Sequence, residues 1–164
     1  MTLYKPEYID DAQSVVDEKL KAWEKKQTGI SNVSINLSKC LYNPLSDHTY
    51  KITLTGDVDG EKNITLGFFR LDGFPYNCGC VILFDLTSYW KIKQGIGTLL
   101  LECAEIIAMK SNYSYMMATT NSEPLNCVFY NMAIKRGWYE TDSFFNLRSE
   151  NTCKVIVKKF SDDE

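Results

Sequence analysis

Residues 91–103 read KIKQGIGTLLLEC. Two glycines, Gly95 and Gly97, bracket an isoleucine. From there Ile96, Leu99, Leu100, Cys103, Ala104 and Ile107 recur at the period of a buried helix face. The glycines therefore stand at the head of a helix, where unpaired backbone N–H groups meet anions. Without side chains they let a pyrophosphate approach the backbone, and Lys93 adds local positive charge. A plain strand–helix connection, with the glycines giving clearance, accounts for the same residues. The choice depends on what surrounds them.

Upstream, CGCVILFDL (78–86) is a continuous apolar run, the pattern of a strand covered on both faces. Downstream, YSYMMATT (113–120) reads as a second buried strand. SEPLNCVFYNMAIKRG (122–137) reads as a second helix. Ser122 caps it, Pro124 sits in its first turn, and Gly137 follows its end. Leu125, Val128, Phe129, Met132 and Ala133 form its inner stripe. Further out, DDAQSVVDEKLKAWEKK (10–26) is a helix with Ala12, Val15, Val16, Leu20 and Trp23 on its apolar face. NVSINLS (32–38), YKITLTG (50–56) and NITLGFFRL (63–71) are strands, the last two joined through an Asp59-Gly60 turn. WYETDSFFNLRS and TCKVIVKKF make a closing hairpin.

A strand–helix–strand unit demands a parallel pair with a right-handed crossover. The hairpins on either side are antiparallel. The fold class is therefore α/β: one mixed, mostly antiparallel sheet, with helices expected on both faces.

The chain has 164 residues, which predicts a single domain over 1–164. A net charge of −3 gives no broad pull toward nucleic acid or anionic membrane, and neither is expected as a partner. MTLYKPEYIDDAQ has no apolar signal core, and no stretch approaches membrane-spanning length. The six cysteines form no C-x-x-C pair and there is one histidine, His48, so no metal is expected. Cys103 and Cys127 fall on apolar helix faces as buried thiols, and a reducing, cytoplasmic setting follows.

Two better-known glycine motifs do not fit. There is no G-x-x-x-x-G-K-[ST]. A dinucleotide fingerprint needs a small residue where Leu100 stands, and an acid after the strand that ends in Thr119-Thr120-Asn121. Instead, IKQGIGTLLLECAEIIA followed by YMMATTNSEPLNCVFYNMAIKRGWYE resembles the core of the GCN5-related N-acetyltransferase (GNAT) superfamily, over roughly residues 63–160. The resemblance rests on element order as much as on the glycine turn.

The resemblance implies a GNAT-like fold in which the two parallel strands splay apart to admit acetyl-CoA. Backbone N–H groups of Lys93, Gln94, Gly95, Ile96, Gly97 and Thr98 would hold the pyrophosphate. The strand end at Asp85, Leu86 and Thr87 would pair with the pantetheine arm. Asn126 falls where the family often carries an asparagine near the cofactor, and Gly137-Trp138 stands in for its G-F. Two positions depart from the pattern. Ile92 replaces the usual Arg or Gln of the turn. Ala133 stands where the family often has a tyrosine that protonates the departing thiolate, with Tyr130 three residues earlier.

The implied activity is acetyl transfer to a primary amine of a small molecule or a protein. Asp85 interrupts an apolar strand just before the site and is the candidate base. A strand-end residue bonded to a loop is its other reading. Tyr130 is either the candidate acid or a packing residue. Asp57, Asp59 and Glu61 crowd one hairpin turn, where they either attract a cationic acceptor or form a solvated acidic turn. The alternative function is a catalytically degenerate GNAT-fold protein, a binding or inhibitory module on a macromolecular partner. Both a monomer and a homodimer are compatible with the sequence.

Overall fold

The structure is a computed structural model that describes residues 6–39, 49–72, 79–89, 95–121, 128–146 and 151–160. The elements are α1 (Pro6–Lys25), β1 (Ile30–Lys39), β2 (Thr49–Val58), β3 (Glu61–Asp72), β4 (Cys80–Ser88), α2 (Ile96–Lys110), β5 (Tyr115–Asn121), α3 (Val128–Lys135), β6 (Tyr139–Asn146) and β7 (Asn151–Lys159). This is the order expected from the sequence. α1 begins at Pro6, ahead of the expected Asp10, since proline is tolerated in a first helical turn.

The described strands form one sheet of seven, in the order β1-β2-β3-β4-β5-β7-β6. Among the described strands, only β4 and β5 pair in parallel. β2 and β3 join through Asp59 and Gly60, both left-handed at φ 50° and 88°, as a tight hairpin turn of matching twist requires.

The structure corrects one expectation about layers. All three described helices lie on one face of the sheet rather than on both. α2 touches both α1 and α3 and packs on β3, β4 and β5. The Lys158 ammonium, on β7 opposite buried Met116, donates to the Arg136 carbonyl just past the end of α3. The reason is topological. The connections from β4 to β5, and from β5 past β7 to β6, run across the sheet in the same direction, and right-handed crossovers in one direction deposit their helices on one side.

Burial follows from this. Val81, Leu83, Met116 and Ala118 are buried under α2, while Ile82 and Tyr115 are 37% and 38% exposed on the other face. β4 and β5 are thus half-covered, not covered on both faces as their apolar runs predicted. Val128, expected on the inner stripe of α3, is 69% exposed. The stripe proposed for α2 is buried throughout, together with Leu101, Glu105 and Ala108. Each fully buried leucine contributes roughly 1.5–3 kcal/mol, so the run Leu99-Leu100-Leu101 fixes the glycine turn firmly against the sheet. Among the described residues, no helix is long and apolar enough to cross a membrane.

Candidate cofactor-binding and active site

Gly95 is the N-cap of α2, left-handed at φ 77°, and supplies no side-chain cap; the first turn of the helix holds no acid. The Leu99 N–H donates to the Gly95 carbonyl at 2.9 Å. The N–H groups of Ile96, Gly97 and Thr98 precede the first intrahelical bond and have no acceptor within the helix. Ile96 is fully buried and anchors the turn from beneath. Gly97 lies beside α3: a Cβ built on it would sit 3.8 Å from the Met132 sulfur. The Thr98 hydroxyl is 3.3 Å from the same sulfur.

β4 carries a bulge near its end. Phe68 pairs with Thr87 and Arg70 with Phe84, so β4 carries one more residue than β3 across that step. Asp85 lies within the bulge, left-handed at φ 55°, a conformation aspartate tolerates better than most residues. Past the bulge Leu86 packs against the core, and Ser88 pairs with Gly67. Gly67 allows α2 to approach: a Cβ there would lie 2.6 Å from the Thr87 carbonyl oxygen and 2.8 Å from Leu100 Cδ1. The Ser88 hydroxyl is buried with no hydrogen-bond partner among the described residues.

Beside the bulge the sheet opens. β4 pairs with β5 only through Cys80, Val81 and Ile82, against Tyr115, Met116 and Met117. β5 continues along β7 as far as Asn121, while β4 continues along β3 as far as Ser88. From Leu83 and Ala118 onward the parallel strands part, as the splay predicted. Their facing edges carry backbone donors and acceptors that no described strand takes up, the arrangement an extended amide chain can join.

Asp85 and Tyr130 are both engaged by neighbours. Asp85 is 52% exposed, and its Oδ2 accepts from Arg70 Nη1 at 2.5 Å. Its carbonyl accepts from the Thr87 hydroxyl at 3.3 Å. The Tyr130 hydroxyl donates to Glu140 Oε1 at 2.9 Å, and Lys154 holds Glu140 Oε2 at 3.0 Å. The bond to Glu140 raises the Tyr130 phenol above its ordinary range. Lys154, then Tyr130, holds the Glu140 carboxyl below its own. Tyr130 also packs against the core, with its hydroxyl directed at Glu140. Ala133 is fully buried. Lys93, Gln94, Asn126 and Ile92 lie outside the described residues, as does Cys127.

Several contributors were not legible beforehand. Arg70 and Gly67 both lie in NITLGFFRL, and the glycine inside a strand pattern was the available signal. Glu105 is buried in α2. Its carboxylate accepts from Arg136 Nη2 at 2.6 Å and from Trp138 Nε1 at 2.8 Å. Glu102 accepts from Arg136 Nη1 at 3.2 Å and from Lys19 at 2.9 Å. Glu105, more than any other neighbour, raises the Arg136 guanidinium further. This network fastens α1, α2 and the end of α3 together. A groove of about 520 Å³ between α1 and α2, lined by Trp23, Lys26, Gly95 and Thr98 among others, leads to the glycine turn.

The acidic hairpin turn is not part of this site. Six residue steps along β3 separate Glu61 from Gly67, about 20 Å of strand. Asp57 there accepts from Asn32 Nδ2 at 2.7 Å and from the Asn63 N–H at 3.1 Å. Those bonds, Asn32 first, hold its carboxyl below the usual range. Cys103 is buried, and burial pushes its thiol up to about 12. Among the described residues no cluster of His, Cys, Asp and Glu has the makings of a metal site.

No protein-family model matches the sequence, and no curated protein does. Solved structures do match. An Escherichia coli N-acetyltransferase for a ribosomal-protein alanine aligns with a TM-score of 0.58 at 12% identity, over 80% of this chain and 97% of that one. An aminoglycoside N-acetyltransferase complexed with coenzyme A aligns with a TM-score of 0.55 at 14% identity, over 74% of this chain and 77% of that one. A Desulfovibrio desulfuricans protein assigned to the GNAT family aligns with a TM-score of 0.54 at 12% identity, over 68% and 69% of the two chains.

Proposed function

We propose that this chain, which has the fold of the GNAT acetyltransferases, transfers an acetyl group from acetyl-CoA to a primary amine of a small molecule or a protein. The observation that carries the reading is a conjunction. An uncapped glycine leads the helix whose Leu100 lies against Gly67 and the end of β4 at Thr87, past the point where β4 and β5 part. Either feature alone is ordinary; together they offer donors for a pyrophosphate and an edge for an extended amide chain.

Acetyl-CoA would supply the thioester. N–H groups of Ile96, Gly97 and Thr98 hold the pyrophosphate through the helix-start field. The edge of β4 at Leu86 and Thr87 orients the pantetheine, and the Ser88 hydroxyl is a further donor there. Backbone N–H groups released by the Asp85 bulge polarise the thioester carbonyl. The amine nitrogen forms the new bond to the acetyl carbon as the carbon–sulfur bond breaks. The electron pair leaves on sulfur, which takes up a proton equivalent to the one the amine loses. Asp85, directly or through water, would receive the amine's proton. Tyr130 directs its proton to Glu140, so alignment of the reactants carries more of the rate than acid catalysis does.

One observation favours a second reading. Ala133 occupies the position expected to supply an acid, and the Tyr130 hydroxyl donates to Glu140, which suits a degenerate protein that binds without transfer. Calorimetric titration with acetyl-CoA separates the possibilities. The proposal expects binding that Gly95→Asp or Gly97→Asp abolishes by steric block and charge repulsion. No binding at millimolar ligand would sink it. Binding without turnover on a broad amine panel supports the second reading.

A further inference from the structure

The sheet face that no described helix covers holds a charged cluster with no structural need for all its members. Lys51 on β2 pairs with Arg70 on β3, and Arg70 pairs with Phe84 at the start of the β4 bulge. Phe68, one pair along β3, receives both cations: Lys51 Nζ is 4.4 Å from its ring centroid and Arg70 Cζ is 5.0 Å away. The Tyr89 ring stands 5.7 Å from it. Arg70 in turn holds Asp85. Asp72 lies on the same face one pair further along β3, away from the gap between β4 and β5.

Lys51 is half-buried on an interior strand, and among the described residues no carboxylate lies within ion-pair distance of it. Two cations over one ring repel each other, and a ring face offsets desolvation only in part. Asp85 already answers Arg70, and an anion beside Lys51 answers the remaining charge. The cluster lies beside the gap, since Arg70 pairs with Phe84, two residues past the last pairing of β4 with β5 at Ile82.

We propose that Lys51, Arg70 and Phe68 form an anion subsite for the acceptor, which is an amine carrying a carboxylate or a phosphate. This rests on the acetyl-transfer reading for the fate of the amine, though not for its binding. Asp85 faces the ammonium end and Lys51 the anionic end. β2 and β4 are two strand spacings apart, about 10 Å, so amine and anion are joined through several bonds. The assignment runs against a purely cationic acceptor such as a polyamine.

The test uses matched probes on the full chain: ε-aminocaproate, its amide, cadaverine and aminopropyl phosphate. Acetylation is followed by thiol release, and binding without cofactor by calorimetry. The expected result is a kcat/KM for ε-aminocaproate or aminopropyl phosphate at least ten-fold above that for the amide and cadaverine. The two anionic probes decide between carboxylate and phosphate. Lys51→Met, which keeps the stem on Phe68 and removes the charge, should erase the preference. Lys51→Arg should restore it. Equal rates for acid and amide, a preference for cadaverine, or an unchanged ratio in Lys51→Met would overturn the assignment. If no probe is acetylated, the binding arm still decides. Tighter binding of the anionic probes, lost in Lys51→Met, upholds the subsite while the transfer reading fails; equal binding of acid and amide overturns the subsite.

Discussion

At its first turn α2 presents N–H groups that nothing in the described chain caps, and its cap is a glycine in a left-handed conformation. Two turns further on, the same helix carries Glu102 and Glu105, and there the carboxylates are engaged from several sides by Lys19, Arg136 and Trp138. One end leaves its polar groups available; the other commits them to holding three helices together. The lesson is that binding and stability occupy separate stretches of one helix. Substitutions along it should separate accordingly.

The largest effect is expected at the committed end. Glu105→Ala removes the acceptor for a buried indole N–H and for most of the Arg136 fork. Because Arg136 is partly exposed, the loss should fall toward the lower side of the usual buried-pair range, about 2–4 kcal/mol in urea denaturation. Glu105→Gln should lose roughly half as much. Coenzyme affinity of the folded fraction should hardly move, and an equal loss of affinity would break the comparison.

Gly67→Ala comes next. The new methyl meets backbone at Thr87, which cannot turn away, so we expect about 1–3 kcal/mol of destabilisation. Here coenzyme affinity should fall as well, because the β4 end must shift. Unchanged affinity would mean that the strand end does not contact the ligand.

Gly95→Ala should destabilise by about 1–2 kcal/mol through its left-handed backbone. Gly95→Asn tolerates that backbone better and should recover most of the stability. If Asn also recovers coenzyme binding, backbone conformation rather than clearance is what the glycine supplies.

The smallest effect is expected at Tyr130 and Glu140. Glu140 is depressed when folded, so its contribution is present above its ordinary value near 4.5 and is lost as pH falls from there. Tyr130 is raised, so its contribution is intact below the ordinary phenol range and is lost as pH rises beyond it. Tyr130→Phe should lower the denaturation midpoint slightly at neutral pH and flatten the alkaline limb, where the wild-type contribution is lost. Its turnover should change by less than about three-fold, since proton transfer by a well-placed acid is worth a hundred-fold or more. A hundred-fold fall would restore Tyr130 as the acid.

What could be read from the sequence was local. The stripe from Ile96 to Ile107 and the glycines ahead of it declare themselves within one stretch, and the turn lies where they indicate. The bulge at Asp85 could not be read, because it exists only in the pairing with β3. An apolar run with one aspartate looks the same with or without it. Glu105 resembled an ordinary polar residue of a helix, since its partners lie 31 and 33 residues away. The sidedness of the helices depended on β7 inserting between β5 and β6, and a closing hairpin does not reveal which of its strands docks inward. The exposure of Ile82 and Tyr115 follows from that same uncovered face.

The bulge has a consequence for deletions as distinct from substitutions. Phe84 pairs with Arg70 and Thr87 with Phe68, so a strand lacking Asp85 would keep Leu86 inward and preserve every pairing on either side. Asp85 is surplus to the sheet. Excising it should straighten β4 and remove the backbone groups the bulge exposes without exchanging the two faces, whereas Asp85→Ala removes the carboxylate and leaves the bend. Comparing a chain one residue shorter with a chain of equal length would separate what the kink contributes from what the acid contributes.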